Sequence, residues 1–293
     1  MGLFHRHPKH TSFSLRPVAA IDPAASALVY SADRRLLTSV EDEASMALAR
    51  NDSLVLESGN RAVAVASLGW ITAPVAWLRT LAVEERVPVD DAIHHLLPPL
   101  YDRVRPKGVT LVAATLDDWT TPWLRGPLER QGFEQMVDVI GYEKLRMDIP
   151  AAGNPLAVMR PAQPADLADV LRLDVACFPN PWVKGAEILG PAITNSPCFF
   201  MAIMDGRTVG YAFATVHQGG RLVHLVRLAV NPALQGQSIG VRLLAEVVRF
   251  CQRRATTILS LNTQADNSHA QRLYEWFGFS RTHDRQHVLG RQV

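Results

Sequence analysis

Cysteine is scarce in this sequence: three in 293 residues, with no Cys-x-x-Cys pair. That excludes a disulfide-rich scaffold, and Cys177, Cys198 and Cys251 read as reduced, mostly buried thiols of a cytoplasmic protein. Long apolar runs are missing too. No uncharged stretch exceeds 17 residues, and one of that length, residues 62–78, is interrupted by Gly69 and Pro74. It reads as two buried strands and a turn, so no membrane association is expected. The first ten residues lack an apolar signal core. Gly2 is followed at position 6 by Arg6, not Ser or Thr, which argues against myristoylation. There is no run of Lys or Arg, so no nucleic-acid partner is expected. His5, His7 and His10 could suggest a metal, but a flexible basic tail over residues 1–11 accounts for them, and no metal site is expected.

What remains is ordinary globular material, 48% hydrophobic and 20% charged. Its length suits two domains, each with its own core. The formal charge of +2 conceals an asymmetry. Residues 1–150 carry 16 Lys/Arg against 19 Asp/Glu, while residues 151–293 carry 14 against 9. One half is acidic and the other basic, so only one half suits an anion.

The chain also repeats itself. Arg16-Pro17 recurs as Arg160-Pro161, Leu81-Ala82-Val83 as Leu228-Ala229-Val230, Leu96-Leu97 as Leu243-Leu244, and Gly132-Phe133 as Gly278-Phe279. The four pairs keep their order at a nearly constant offset, which indicates a duplicated domain. Copies at 12–147 and 156–293 are expected, joined by a linker at 148–155 (DIPAAGNP). In the second copy the periodicity predicts a helix at 162–177 and a hairpin of strands 198–204 and 208–216 about Asp205-Gly206. A strand at 222–230, a helix at 239–253, a strand at 257–261, a helix at 268–277 and a final strand at 287–293 follow. The expected fold is α/β (α+β): two tandem units, each a mostly antiparallel mixed sheet flanked by helices.

Residues 228–240 (LAVNPALQGQSIG) carry the most chemistry. A strand ends, Pro232 breaks it, and a Gly- and Gln-containing turn enters an amphipathic helix. Free N–H groups at such a helix start, together with its dipole, suit an anion. No Walker lysine follows and no G-x-G-x-x-G is present, which disfavours a P-loop or a Rossmann site. An ordinary strand-to-helix connection has the same local pattern.

Here the sequence resembles a family. Val230-x-Pro232-x-x-Gln235-Gly236-x-x-Ile239-Gly240, followed by Asn267-x-x-Ala270-x-x-Leu273-Tyr274-x-x-x-Gly278-Phe279, is similar to the GNAT (GCN5-related) N-acetyltransferases. The fourth loop position, usually glycine, is Ser238, which can still present its N–H and adds a hydroxyl. The stretch Cys177-Phe178-Pro179-Asn180-Pro181-Trp182 resembles the subgroup that acetylates the N-terminal alanine of a ribosomal protein. The resemblance covers residues 156–293 and, more weakly, 12–150.

It implies acetyl-CoA as co-substrate and an amine as acceptor, either a protein N-terminus or a small molecule, acetylated by direct attack. Backbone groups of Leu228, Ala229 and Val230 would meet the pantetheine arm. Gln235, Gly236, Gln237, Ser238, Ile239 and Gly240 would cradle the pyrophosphate, and Asn267 would contact the cofactor. Tyr274 stands where the family's acid for the leaving thiolate stands, although its spacing alone fits a packing aromatic. His224 occupies a position where many members carry a basic glutamate. It reads either as the general base or as a half-exposed strand histidine, and a water chain is the third route. The subgroup's own glutamate position is Asn262, which cannot act as a base.

The first copy serves as an internal control. Its loop positions are Pro88, Val89, Asp90, Asp91, Ala92 and Ile93, with no glycine and two carboxylates where phosphate would approach. Tyr274 corresponds to Leu128, Asn267 to Thr121 and His224 to Trp77. The first copy is therefore expected to be degenerate. The expected activity is an N-acetyltransferase in the second copy, with a non-catalytic acyl-CoA-binding sensor as the alternative. The oligomeric state is open and compatible with a homodimer.

Overall fold

The computed structural model describes residues 12–38 and 41–293. The histidines of the N-terminal tail lie outside the described residues. The chain divides into two compact units, Met1–Glu134 with Gly290–Val293, and Gln135–Leu289.

The first unit runs β1 (Phe13–Pro17), α1 (Pro23–Ser31), β2 (Arg34–Leu37), α2 (Glu41–Leu48), β3 (Asp52–Ser58), β4 (Arg61–Thr72), β5 (Val75–Val83), α3 (Val89–Val104), β6 (Leu111–Leu116) and α4 (Thr121–Arg130). Strands β1, β3, β4 and β5 pair antiparallel in that order. β6 adds in parallel, but only Val75–Trp77 of β5 face Leu111–Ala113. Farther along, residues 80–83 of β5 pair with β2 instead. α1 buries Ala25, Leu28 and Val29 against Val55, Val65 and Ala82. α3 buries Ala92, Ile93, Leu96, Leu97 and Leu100, a helical stripe.

The second unit holds β7 (Glu134–Lys144, from Gln135 on), β8 (Val158–Pro161), α5 (Leu167–Cys177), α6 (Ala186–Asn195), β9 (Cys198–Met204), β10 (Arg207–His217), β11 (Leu222–Val230), α7 (Ile239–Arg253), β12 (Ile258–Gln264), α8 (Ser268–Trp276) and most of β13 (Ser280–Gln292). Strands β8 to β11 are antiparallel in order, β12 joins β11 in parallel, and β7 joins β12 antiparallel. Both units are thus mixed, mostly antiparallel sheets flanked by helices. α7 buries Leu243, Leu244, Val247, Val248 and Cys251 on one face of the sheet. α5 and α6 bury Val170, Leu173, Leu189 and Ile193 against Phe199, Tyr211 and Phe213 on the other.

The repeat is visible at atomic detail. In each copy the Arg-Pro pair ends the first strand, and the arginine pairs with the aspartate six residues on: Arg16 with Asp22, and Arg160 with Asp166 at 2.6 Å. Asp22 also caps α1 by accepting from the Ala25 N–H.

The division between units falls at 134/135, ahead of the 148–155 linker. The reason is strand pairing. Lys144 to Val139 of β7 lie opposite Leu259 to Gln264 of β12. Conversely, the last four residues return to the first unit, where the Val293 N–H donates to the Thr110 carbonyl. Each unit is therefore completed by a segment encoded beyond its own repeat.

Candidate functional site

β11 alternates strictly between buried and half-buried residues, as a strand between two layers requires. It pairs with β12 only from Leu222 to Leu225, opposite Ile258 to Leu261. Beyond that the parallel strands diverge, and residues 226–230 have no strand partner on that edge. On the other edge β10 lies very close. A Cβ at Gly210 would come within 2.6 Å of the Ala229 carbonyl oxygen, so only glycine fits there.

Asn231 and Pro232 turn the chain out of the strand, with Asn231 Oδ1 accepting from the Ala233 N–H at 3.0 Å. Gln235 Nε2 reaches back to the Val230 carbonyl at 3.4 Å. Gly236 has φ +80° and Ser238 φ +57°, so two left-handed residues bring the chain to the first turn of α7. The Ser238 side chain makes no capping bond to the helix. A Cβ at Gly240 would point at Val230 and Leu273, 3.7 and 3.8 Å away, into the gap between strand end and α8.

These elements enclose a cavity of about 590 Å³. Leu228, Ala229, Val230, Gln235, Gly236, Ser238, Ile239, Gly240, Asn267 and Tyr274 all line it. The structure thus brings together ten of the residues singled out in the sequence. Gln237 is not among the lining residues. Asn267 caps α8, its Oδ1 accepting from the Ala270 N–H at 3.1 Å. Tyr274 packs near the rings of Tyr142 and Phe279 and is 8% exposed. Burial pushes its hydroxyl up to about 12, so it stays protonated at neutral pH. Sequence reasoning missed Leu234, His269, Arg272 and Trp276 as lining residues. The α8 residues could have been found by projecting that helix from Asn267 at 3.6 residues per turn.

A second hollow of about 470 Å³ shares Cys177, Phe178 and Asn267 with the first and continues over Pro179, Trp182, Gln264 and Asp266. Its wall is anchored by a buried ion pair, Arg227 to Asp174 at 3.2 Å. Arg227 stacks over the Phe178 ring and donates to the Trp182 carbonyl, while Asp174 accepts from the Lys184 N–H at 2.6 Å. Cys177 donates to the Val230 carbonyl at 3.3 Å, and burial raises its thiol to about 11, so it stays protonated at neutral pH.

His224 lies elsewhere. It lines a separate hollow of about 270 Å³ with Glu143, Ser260, Asn262 and Asp284, its Nδ1 2.9 Å from Ser260 Oγ. Burial, with His217 and Lys184 nearby, lowers its pKa to about 4. A group neutral at pH 7 with so acidic a conjugate acid is a weak base, which favours the strand-histidine reading of His224 over the general-base reading. Among the described residues no group of three or more His, Cys, Asp or Glu could hold a metal ion. No helix among them is long and apolar enough to cross a membrane.

Residues 167–279 match the family model of the acetyltransferase (GNAT) family. Over 82 residues the chain is 34% identical to N-acetylaspartate synthetase of Mus musculus, a match covering 28% of this chain and 27% of that protein. Over 123 residues it is 27% identical to a Bacillus subtilis protein provisionally named as a ribosomal protein bS18-alanine N-acetyltransferase, covering 42% of this chain and 80% of that one. The chain therefore spans about a quarter of the length of the mouse relative. A solved tandem GNAT protein from the clavulanic acid biosynthesis pathway superposes with a TM-score of 0.63 at 16% identity, covering 96% of this chain and 98% of that one. That likeness shows the fold for both units. In sequence, the similarity to the GNAT acetyltransferase family lies in residues 167–279.

Proposed function

We propose that the second unit transfers an acetyl group from acetyl-CoA to an amine. The observation that carries this reading is one cavity bounded at once by an unpaired strand edge, a glycine-bearing helix start and a buried, protonated tyrosine. The open backbone of residues 226–230 suits the amides of a pantetheine arm, which would pair with it as a short strand. The N–H groups and dipole at the start of α7 suit the diphosphate. The acceptor would enter through the hollow at Phe178 and Trp182, which meets the cavity beside Asn267.

The amine lone pair attacks the thioester carbonyl carbon, a C–N bond forms, and the thiolate leaves as the C–S bond breaks. Tyr274 serves the leaving group. A phenol held near 12 lies well above a thiol near 8.5, so it stabilises the thiolate as a hydrogen-bond donor without surrendering its proton. His224 is assigned no base role, because at a pKa of about 4 it cannot compete for an ammonium proton. The acceptor reacts as the free amine, and the proton it sheds after attack passes to bulk water.

Calorimetry with acetyl-CoA tests the binding half. One site per chain is expected for the wild type, and Gly240→Val should weaken binding at least tenfold by filling the gap beside Val230. Thiol release with a panel of amines tests the chemistry. Tyr274→Phe should cut turnover by about 100-fold with affinity retained. Absence of acetyl-CoA binding, or unchanged turnover in Tyr274→Phe, would overturn the assignment. The position of His224 outside the cavity favours a second reading, a sensor that binds acyl-CoA without turnover. Wild-type binding with no thiol release for any amine would select it.

A further inference from the structure

The segment between the two repeats reads as a linker by composition, yet it is built onto the start of α7. The Asn154 N–H donates to the Ser238 carbonyl at 3.1 Å, and Asn154 Nδ2 donates to the Gln237 carbonyl at 2.9 Å. Asn154 Oδ1 in turn accepts from the Leu156 N–H at 2.9 Å, which fixes the side chain. Gly153 precedes it with φ +76°, and a Cβ there would lie 2.3 Å from the Arg242 nitrogen. A side chain at 153 would push the segment off the helix.

The two carbonyls held by Asn154 flank the residue that departs from the family's pattern. Ser238 has φ +57°, a left-handed conformation that glycine takes freely and an L side chain resists. In a trans peptide the N–H points opposite to the C=O. Holding the Gln237 and Ser238 carbonyls toward Asn154 therefore turns the Ser238 and Ile239 N–H groups the other way. Those are the donors of residues that line the cavity.

We infer that Asn154 is a positioning residue: it clamps the 235–240 loop in its anion-binding conformation and so offsets the use of serine at a position built for glycine. The inference rests on the proposed acetyl-CoA site, but its structural half can be read without ligand. Asn154→Ala should weaken acetyl-CoA binding about fivefold to tenfold by calorimetry, the loss of one net hydrogen bond, and raise KM for acetyl-CoA with kcat unchanged. In the free protein the Arg242 amide, which shares the Ser238 carbonyl, should exchange with solvent faster. Adding Ser238→Gly to Asn154→Ala should restore affinity to within about threefold, because glycine needs no clamp. If the wild type binds acetyl-CoA and Asn154→Ala binds equally well, or if Ser238→Gly fails to rescue, the clamp is overturned. If the wild type does not bind, the proposed site itself falls, and the exchange data still report whether Asn154 holds the loop.

Discussion

The two units share a plan and differ at the place where strands diverge. In the second unit β11 leaves β12 after Leu225, and the edge of residues 226–230 stays open. In the first unit β5 leaves β6 after Trp77, and the equivalent edge, Thr80 to Val83, pairs with Leu37 to Arg34 of β2. The protein's own backbone fills the slot. The reason lies in the segment between the first two helices of each copy. In the first copy it is Arg-Arg-Leu-Leu, with a donor at every residue and Leu36 buried. In the second it includes Phe178-Pro179-Asn180-Pro181-Trp182, whose two prolines lack the N–H a ladder strand needs. The helix start differs in the same sense. Where the second unit offers bare amides, the first carries Asp90, held in a bidentate pair by Arg130 of α4 at 2.7 and 2.8 Å. One copy pairs its strand edge with β2 and its Asp90 with Arg130, and the other has neither partner at the matching positions.

The comparison can be broken most severely by cutting the chain. A fragment of residues 156–293 lacks β7, so residues 259–264 of β12 lose their partner. It also loses Lys144, fully buried with its Nζ on the Phe277 carbonyl at 2.9 Å, and the Tyr142 hydroxyl on Glu275 at 2.9 Å. This fragment should show no cooperative melt by circular dichroism, whereas one starting at residue 135 should melt cooperatively. A middle-sized effect belongs to His224, whose counterpart in the first unit, Trp77, does not titrate. Folded His224 has a pKa of about 4 against 6.5 unfolded, so its contribution is whole above pH 6.5 and is lost as pH falls toward 4. Denaturant titrations should show the wild type losing on the order of 3 kcal/mol more than His224→Asn across that window. The smallest effect is Asp90→Ala. Its exposed ion pair should leave the melting temperature within about 2 °C. Acetyl-CoA stoichiometry should stay at one per chain, because β2 still fills the slot.

Much of this was legible beforehand where periodicity is strong. The stripe Leu243, Leu244, Val247, Val248 and Cys251 marks α7, and the alternation in β11 marks that strand, each with the observed bounds. β12 and β13 run longer than expected because Asn262 and the polar residues after Ser280 occupy partly exposed strand faces, where hydropathy carries no signal. α6 escaped notice because Gly190 and Pro191 interrupt its helical propensity and packing against α5 overrides it. The cavity-lining set around the loop followed from the resemblance to the GNAT motifs. The surroundings of His224, the pairing of β2 with β5 and the hydrogen bonds from Asn154 to the Gln237 and Ser238 carbonyls are tertiary facts that no local pattern carries.

The closing segments described for each unit also bear on descent. A duplicated gene ordinarily yields two separable copies, and the one without a task drifts and disappears. Here deleting the first repeat would remove β7 from the second unit, and deleting the second would take Gly290–Val293 from the first. A recombination break at the apparent linker would damage both products. Selection for a folded second copy is therefore enough to retain the first.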